Sequence, residues 1–248
     1  MKTIFILVYL TVIFGCRETS SIKEQSREET AIEILIDVTD PQKLKLWPDP
    51  VPILRLYDCS SNPELACTFG MQAISDISIN RVYNAYLPPA SETEKLNIAD
   101  DIQHRSKYIV KFYDSVKALF NRFYQETDTT KSLSYSECWL SIARSLERMN
   151  SHTTTRKFLI VFSDLAENSV VTVYQKGKSL EQEAIKKLLE KLSPVPPGIT
   201  GTTIIIVYQP VDRDDDTRFR KILESYRLLL EPHGVRIVHK ASNESFDL

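Results

Sequence analysis

The chain predicts an α/β fold: a doubly wound, mostly parallel central sheet with one antiparallel strand and helices on both faces. Three observations carry this. Apolar runs at Ile32–Ile36, Phe158–Phe162 and Thr202–Tyr208 lack helical spacing, which marks strands buried on both sides, as in parallel sheets. Segments with apolar residues at helical intervals alternate with those runs. Finally, GMQAISDISIN (residues 70–80) and RVYNAYL (81–87) stand too close in sequence for a parallel crossover, so they read as an antiparallel pair.

Taken in order, Met1–Cys16 has an early Lys2, a hydrophobic run, then Gly15 and Cys16, the anatomy of a secretory signal too short to span a bilayer comfortably. Residues 17–30 (RETSSIKEQSREET) are polar and read as a tether, and 31–248 as the folded domain. Strand Ala31–Asp37 opens that domain. A proline-marked stretch, 42–68, follows, with a short helix around Ile53–Tyr57. After the strand pair, Pro88 and Pro89 end the sheet excursion, and 91–125 carries Leu96, Ile98, Ile102, Ile109, Phe112, Val116, Leu119, Phe120 and Phe123 at helical spacing. This is one long helix or two, with its aromatic stripe in the core. A polar loop, 126–134, leads to a helix over 136–149, for which Ser136 is the expected N-cap. Strand 157–163 comes next, then an extended excursion at 170–174 turning at Gly177. An amphipathic helix over 179–192, strand 202–208, helix 214–230 and an edge strand 235–239 complete the domain. Asp214, Asp215 and Asp216 suit the first turn of a helix, where the dipole favours acids.

At 248 residues with 42% hydrophobic content the chain can bury a substantial core. A formal charge of −2 from well-mixed acids and bases leaves no nucleic-acid footprint. Only 6 glycines, and no GxxxxGK[ST] or GxGxxG pattern, argue against phosphate-cradling loops. His104, His152, His233 and His239 are scattered and no Cys/His spacing suggests zinc. Beyond Cys16, the cysteines are Cys59, Cys67 and Cys138, an odd number. Cys59 and Cys67 flank SSNPELA and either close a small loop in an oxidising compartment or stand as two buried thiols.

The chemistry concentrates at strand ends. AIEILIDVTDP (31–41) terminates in Asp37, Thr39 and Asp40, and KFLIVFSDLAEN (157–168) in Asp164 and Glu167. Ligands of open α/β folds sit outside the carboxyl ends of the strands, so two strands delivering carboxylates and hydroxyls there suggest a polar or hard-cation site. The competing reading is local: an Asp after a strand also caps helices and builds turns.

These residues carry a resemblance. The order of elements, with a strand ending DVTD, an early strand pair, a hydroxyl-bearing loop before a helix and a strand ending FSDLAEN, resembles the von Willebrand factor A-like fold over about residues 31–240. That resemblance implies a metal-ion-dependent adhesion site binding Mg²⁺ or Mn²⁺. Asp37 matches the first acid of the family's Asp-x-Ser-x-Ser run and Thr39 stands where its first Ser would be. Pro41 occupies the second Ser position and cannot ligate. Ser136 corresponds to the loop Thr, with Ser134 as the other candidate, and Asp164 to the acid after the central strand. Asp40 is a further acid within reach of the same turn. The implied partner is a protein whose acidic residue completes the ion's coordination. Ile13-Phe14-Gly15-Cys16 also resembles the lipobox of bacterial lipoproteins, which implies an exported chain anchored to a bacterial membrane through lipidated Cys16. A general secretory signal without lipidation is the alternative.

The expected function is thus a membrane-tethered, non-enzymatic protein-binding module. Two alternatives remain. One is a metal-dependent phosphohydrolase using Asp37; that chemistry wants a second acid at position 39, where Thr stands. The other is a structural envelope component without metal. A Ser-His-Asp hydrolase lacks its G-x-S-x-G elbow.

Overall fold

The computed structural model describes residues 29–40, 45–59, 64–76, 80–93, 98–127, 135–150, 156–173 and 180–246, with 62, 78 and 133 besides. The expected signal with Cys16, most of the tether, Pro41, Ser134 and Gly177 lie outside them. Six strands form one sheet in the order β3-β2-β1-β4-β5-β6. They are β1 (Glu29–Asp37), β2 (Ala66–Ile74), β3 (Val82–Leu87), β4 (Arg156–Phe162), β5 (Thr202–Val207) and β6 (Arg236–Lys240). Every pairing is parallel except that of β2 with β3. The predicted α/β sheet with one antiparallel pair is therefore present.

Among the described residues, six α-helices flank it: α1 (Pro50–Arg55), α2 (Ala90–Thr93), α3 (Ile98–Glu126), α4 (Cys138–Asn150), α5 (Gln182–Leu192) and α6 (Arg213–Leu230). Residue parity along β1 divides the core. Ile32, Ile34 and Ile36 pack with Ile53 of α1 and with Phe112, Val116, Phe120 and Phe123 of α3. Ala31 and Leu35 point the other way, against Trp139 and Ile142 of α4, Leu189 of α5 and Phe219 of α6. With both faces covered, β1 is buried along its whole length, which is why its sequence shows no apolar–polar alternation. Trp139 is the largest fully buried side chain of the second layer; its indole donates to Ser193 O at 2.9 Å and its ring meets Tyr226 edge-on at 6.0 Å.

Several boundaries differ from expectation. The strand begins at Glu29, not after residue 30, because Glu29 and Thr30 continue the ladder to Ala66 and Cys67 of β2. Strand β2 runs from Ala66 to Ile74, so it starts and stops earlier than the strand expected over residues 70–80. The stretch expected as one or two helices over 91–125 is two, the short α2 and the 29-residue α3. Helix α5 starts three residues later than its periodicity suggests, after Glu181. Helix α6 is capped by Asp212, whose Oδ1 accepts from Asp215 N at 2.8 Å. Among the described residues, no helix is long and apolar enough to cross a membrane.

Candidate functional site

From β1 the chain moves outward to β2 in one direction and, after α4, to β4 on β1's other side. This reversal is a topological switch point, and in open α/β sheets ligands usually bind beyond the carboxyl ends of the strands there, here β1 and β4. Asp37 is the last residue of β1 and Asp164 follows β4 by two residues.

Asp37 is buried and fully engaged. Its Oδ1 accepts from the Thr39 backbone at 3.0 Å and the Thr39 hydroxyl at 2.5 Å; its Oδ2 accepts from Ser163 Oγ at 2.7 Å. Burial, then the neighbouring charge of Asp164, pushes its carboxyl up to about 6, although the Thr39 and Ser163 hydrogen bonds pull the other way. Ser163 also accepts Leu165 N at 2.9 Å, and Asp164 Oδ1 accepts Ala166 N at 3.0 Å. These two turns hold Leu165 at φ 62°, a left-handed conformation unfavourable for a residue with a Cβ.

The loop before α4 reaches the same edge. Leu133 N donates to Thr39 O at 2.8 Å and Glu137 N to Ser75 O at 3.1 Å. Ser136 pairs in both directions with Asn168, at 2.9 and 3.0 Å. Cys138 Sγ lies 3.9 Å from Ser163 Oγ. Ser136 is not the N-cap of α4, as its spacing suggested; its hydroxyl is buried without a protein partner. The capping group is instead Glu167, a residue of the strand-end motif, whose Oε2 accepts Trp139 N at 2.8 Å. Glu167 is 1% exposed and its other oxygen is buried without a partner. Burial is the main cause that pushes its carboxyl up to about 7.

Asp164 does not stand alone. Arg218 Nη2, from α6, lies 2.9 Å from Asp164 Oδ2 and also pairs with Asp215. Asp215 in turn accepts Tyr208 OH at 2.7 Å and Val211 N at 2.9 Å. It is therefore the one member of the 214–216 run that turns inward, while Asp216 pairs with exposed Arg220. Neither Ser163 nor Arg218 was among the residues expected here: Ser163 read as strand, and Arg218 is distant in sequence. Asp40 follows Thr39 in the turn and is partly exposed.

The structure thus brings Asp37, Thr39, Ser136 and Asp164 to one edge. Among the described residues, no group of three or more His, Cys, Asp or Glu side chains is arranged to hold a metal ion. An ion here would depend on hydroxyls and water around two carboxylates. The donors are all hard oxygens, which suits Mg²⁺ or Mn²⁺. Thr39 and Ser163 spend their protons on Asp37, Ser163 Oγ also accepts Leu165 N, and Ser136 Oγ meets no protein partner. Arg218 already holds one oxygen of Asp164, so an ion there would share that carboxylate with a guanidinium. The chain matches no known protein-family model and none of the curated proteins it was compared with.

Proposed function

We propose that this chain is a protein-binding module of von Willebrand factor A-like fold, exported and tethered to a membrane through lipidated Cys16, that engages its partner at the carboxyl edge of β1 and β4. The observation that carries the reading is the Ser136 hydroxyl, buried and unpartnered beside the edge where Thr39 and Ser163 converge on Asp37. A buried hydroxyl without a partner costs free energy unless a ligand or water meets it. Thr39, Ser136 and Asp37, with Asp164, would hold Mg²⁺ or Mn²⁺. When bound, the ion supplies a coordination position that an acidic side chain of a partner fills. Both oxygens of Asp37 already accept hydrogen bonds, which favours a positioning role over nucleophilic attack on a phosphate ester.

Thermal unfolding in EDTA and in excess Mg²⁺ or Mn²⁺ tests the ion. A ligand that binds only the folded state stabilises it by about 3 kcal/mol at a hundredfold excess over its dissociation constant. The expected rise is lost in Asp37→Ala; an equal response in both proteins removes the metal site, and no response in either leaves only a metal-free surface. Cross-linking of the exported protein, with and without Asp164→Ala, then tests the partner: adducts unchanged by the substitution place binding elsewhere.

A further inference from the structure

The pair Cys59 and Cys67 lies apart from the candidate site. Cys67 sits in β2 and Cys59 in the turn after α1. Both are buried in the α3 layer, and their sulfurs are 3.4 Å apart. The turn is arranged to bring them together: Asp58, with φ 52°, bends the chain immediately before Cys59, and Asn62 N closes on Asp58 O at 3.1 Å. Across the junction, buried Arg105 donates to Leu65 O at 2.7 Å and Pro88 O at 2.6 Å, fixing the approach to β2. Tyr57, two residues before Cys59, donates to Thr68 O at 2.6 Å, so the turn is hydrogen-bonded to the strand beside the sulfurs.

We infer that Cys59 and Cys67 are a disulfide site, closed within the chain when it folds in contact with a small-molecule disulfide. The remaining approach to a sulfur–sulfur bond of about 2.05 Å is a side-chain movement on the order of 1 Å. Cys59, in the turn rather than in the sheet, is the thiol that meets the small disulfide as the chain folds; once the two are adjacent, the hydrogen bond shared with Cys67, then Tyr113 and Arg105, draw its thiol down. Its thiolate attacks one sulfur of the small disulfide, releasing a thiol and leaving a mixed disulfide on Cys59. Cys67, losing its proton, then attacks the Cys59 sulfur and expels the second thiol. Two protein thiols are oxidised and one small disulfide is reduced to two thiols. Because both sulfurs are buried, the product is a structural staple between the α1 turn and β2 rather than an exchange catalyst. Cys138, with Ser163 beside it and the other two cysteines in the opposite core layer, stays a thiol, which accounts for the odd count.

The test uses the full chain. Tryptic segment 56–81 holds both cysteines and no internal Lys or Arg. Reduced protein is refolded with oxidised glutathione, denatured in iodoacetamide without reductant and digested. The expected segment is two hydrogens lighter than the dithiol and carries no alkyl group, whereas Cys138 is alkylated. Alkyl groups or retained glutathione on Cys59 and Cys67 overturn the inference. The same digest on protein recovered from an oxidising export compartment should match; two alkylated thiols there overturn closure in the exported chain even if glutathione achieves it. Reduction should lower the unfolding midpoint of the closed protein by roughly 5–10 °C. The Cys59→Ala/Cys67→Ala variant should not respond, and an unchanged wild-type midpoint refutes the staple.

Discussion

Glu167→Gln perturbs the edge without changing its shape. Burial, against the hydrogen bonds it accepts, pushes the wild-type carboxyl up to about 7 in the fold from an ordinary value near 4.5. Each unit of that difference is 1.36 kcal/mol, so ionised Glu167 weakens the fold by about 3 kcal/mol relative to its neutral form. The sign follows from the raised value. Stability tied to the neutral acid is fully present below pH 4.5 and is lost as pH rises through 7. Glutamine keeps an oxygen to accept Trp139 N and carries no charge, so the α4 cap survives. Urea unfolding in EDTA should show the variant about 3 kcal/mol more stable than wild type at pH 8 and equal to it near pH 4.5. A variant equal to or weaker than wild type at pH 8 would refute the argument, since it would mean that the charged cap of α4 outweighs desolvation.

Other substitutions probe the neighbours. Arg218→Gln leaves Asp164 and Asp215 together without their guanidinium and should cost about 3–5 kcal/mol by urea unfolding; if Mg²⁺ binds this edge, the ion should restore part of that loss. Gly70→Ala places a methyl group against the Glu33 carboxylate, which is held 2.9 Å from Arg148; a loss of about 1–3 kcal/mol is expected, and a midpoint equal to wild type would show that Glu33 moves freely. Protons compete with any ion for Asp37, so the thermal shift produced by Mg²⁺ at pH 8 should fall through pH 6 and vanish near pH 5. A shift constant across that range would place the ion away from Asp37.

Strands β1, β4 and β5 were legible because burial on both faces writes an unbroken apolar run, and the carboxylates at their ends were legible because those runs stop abruptly. What sequence could not assign was the direction of each side chain beyond the strand. Ser136 looks like a cap from its spacing alone, but Glu167, 28 residues from Trp139, takes that hydrogen bond and frees the serine. Asp215 and its neighbours look alike in a row of acids, yet only Asp215 points back at Tyr208. Arg218 stands three residues after Asp215, a spacing visible in sequence, whereas its reach to Asp164 depends on how α6 packs across the sheet. Glu29 and Thr30 read as polar tether in the sequence, because composition cannot see a neighbouring strand. Nonlocal pairing decides such residues.

The charge at this edge explains why the same residues respond to protons and suit a cation. Asp37, Asp164, Asp215 and Glu167 are gathered there with Arg218 as the cation paired to two of them. Asp215 is held below its ordinary value by its hydrogen bonds and by Arg218, against the opposing effect of burial. Asp37 and Glu167, which lack such a cation, are pushed up instead. Anything that brings positive charge beside Asp37 lowers its carboxyl in the same way and, by linkage, binds more tightly as pH rises through 6, levelling off above it. On the proposed function, an ion would offer a coordination position to a partner's carboxylate; without one the edge presents acids, whose complement is a basic group.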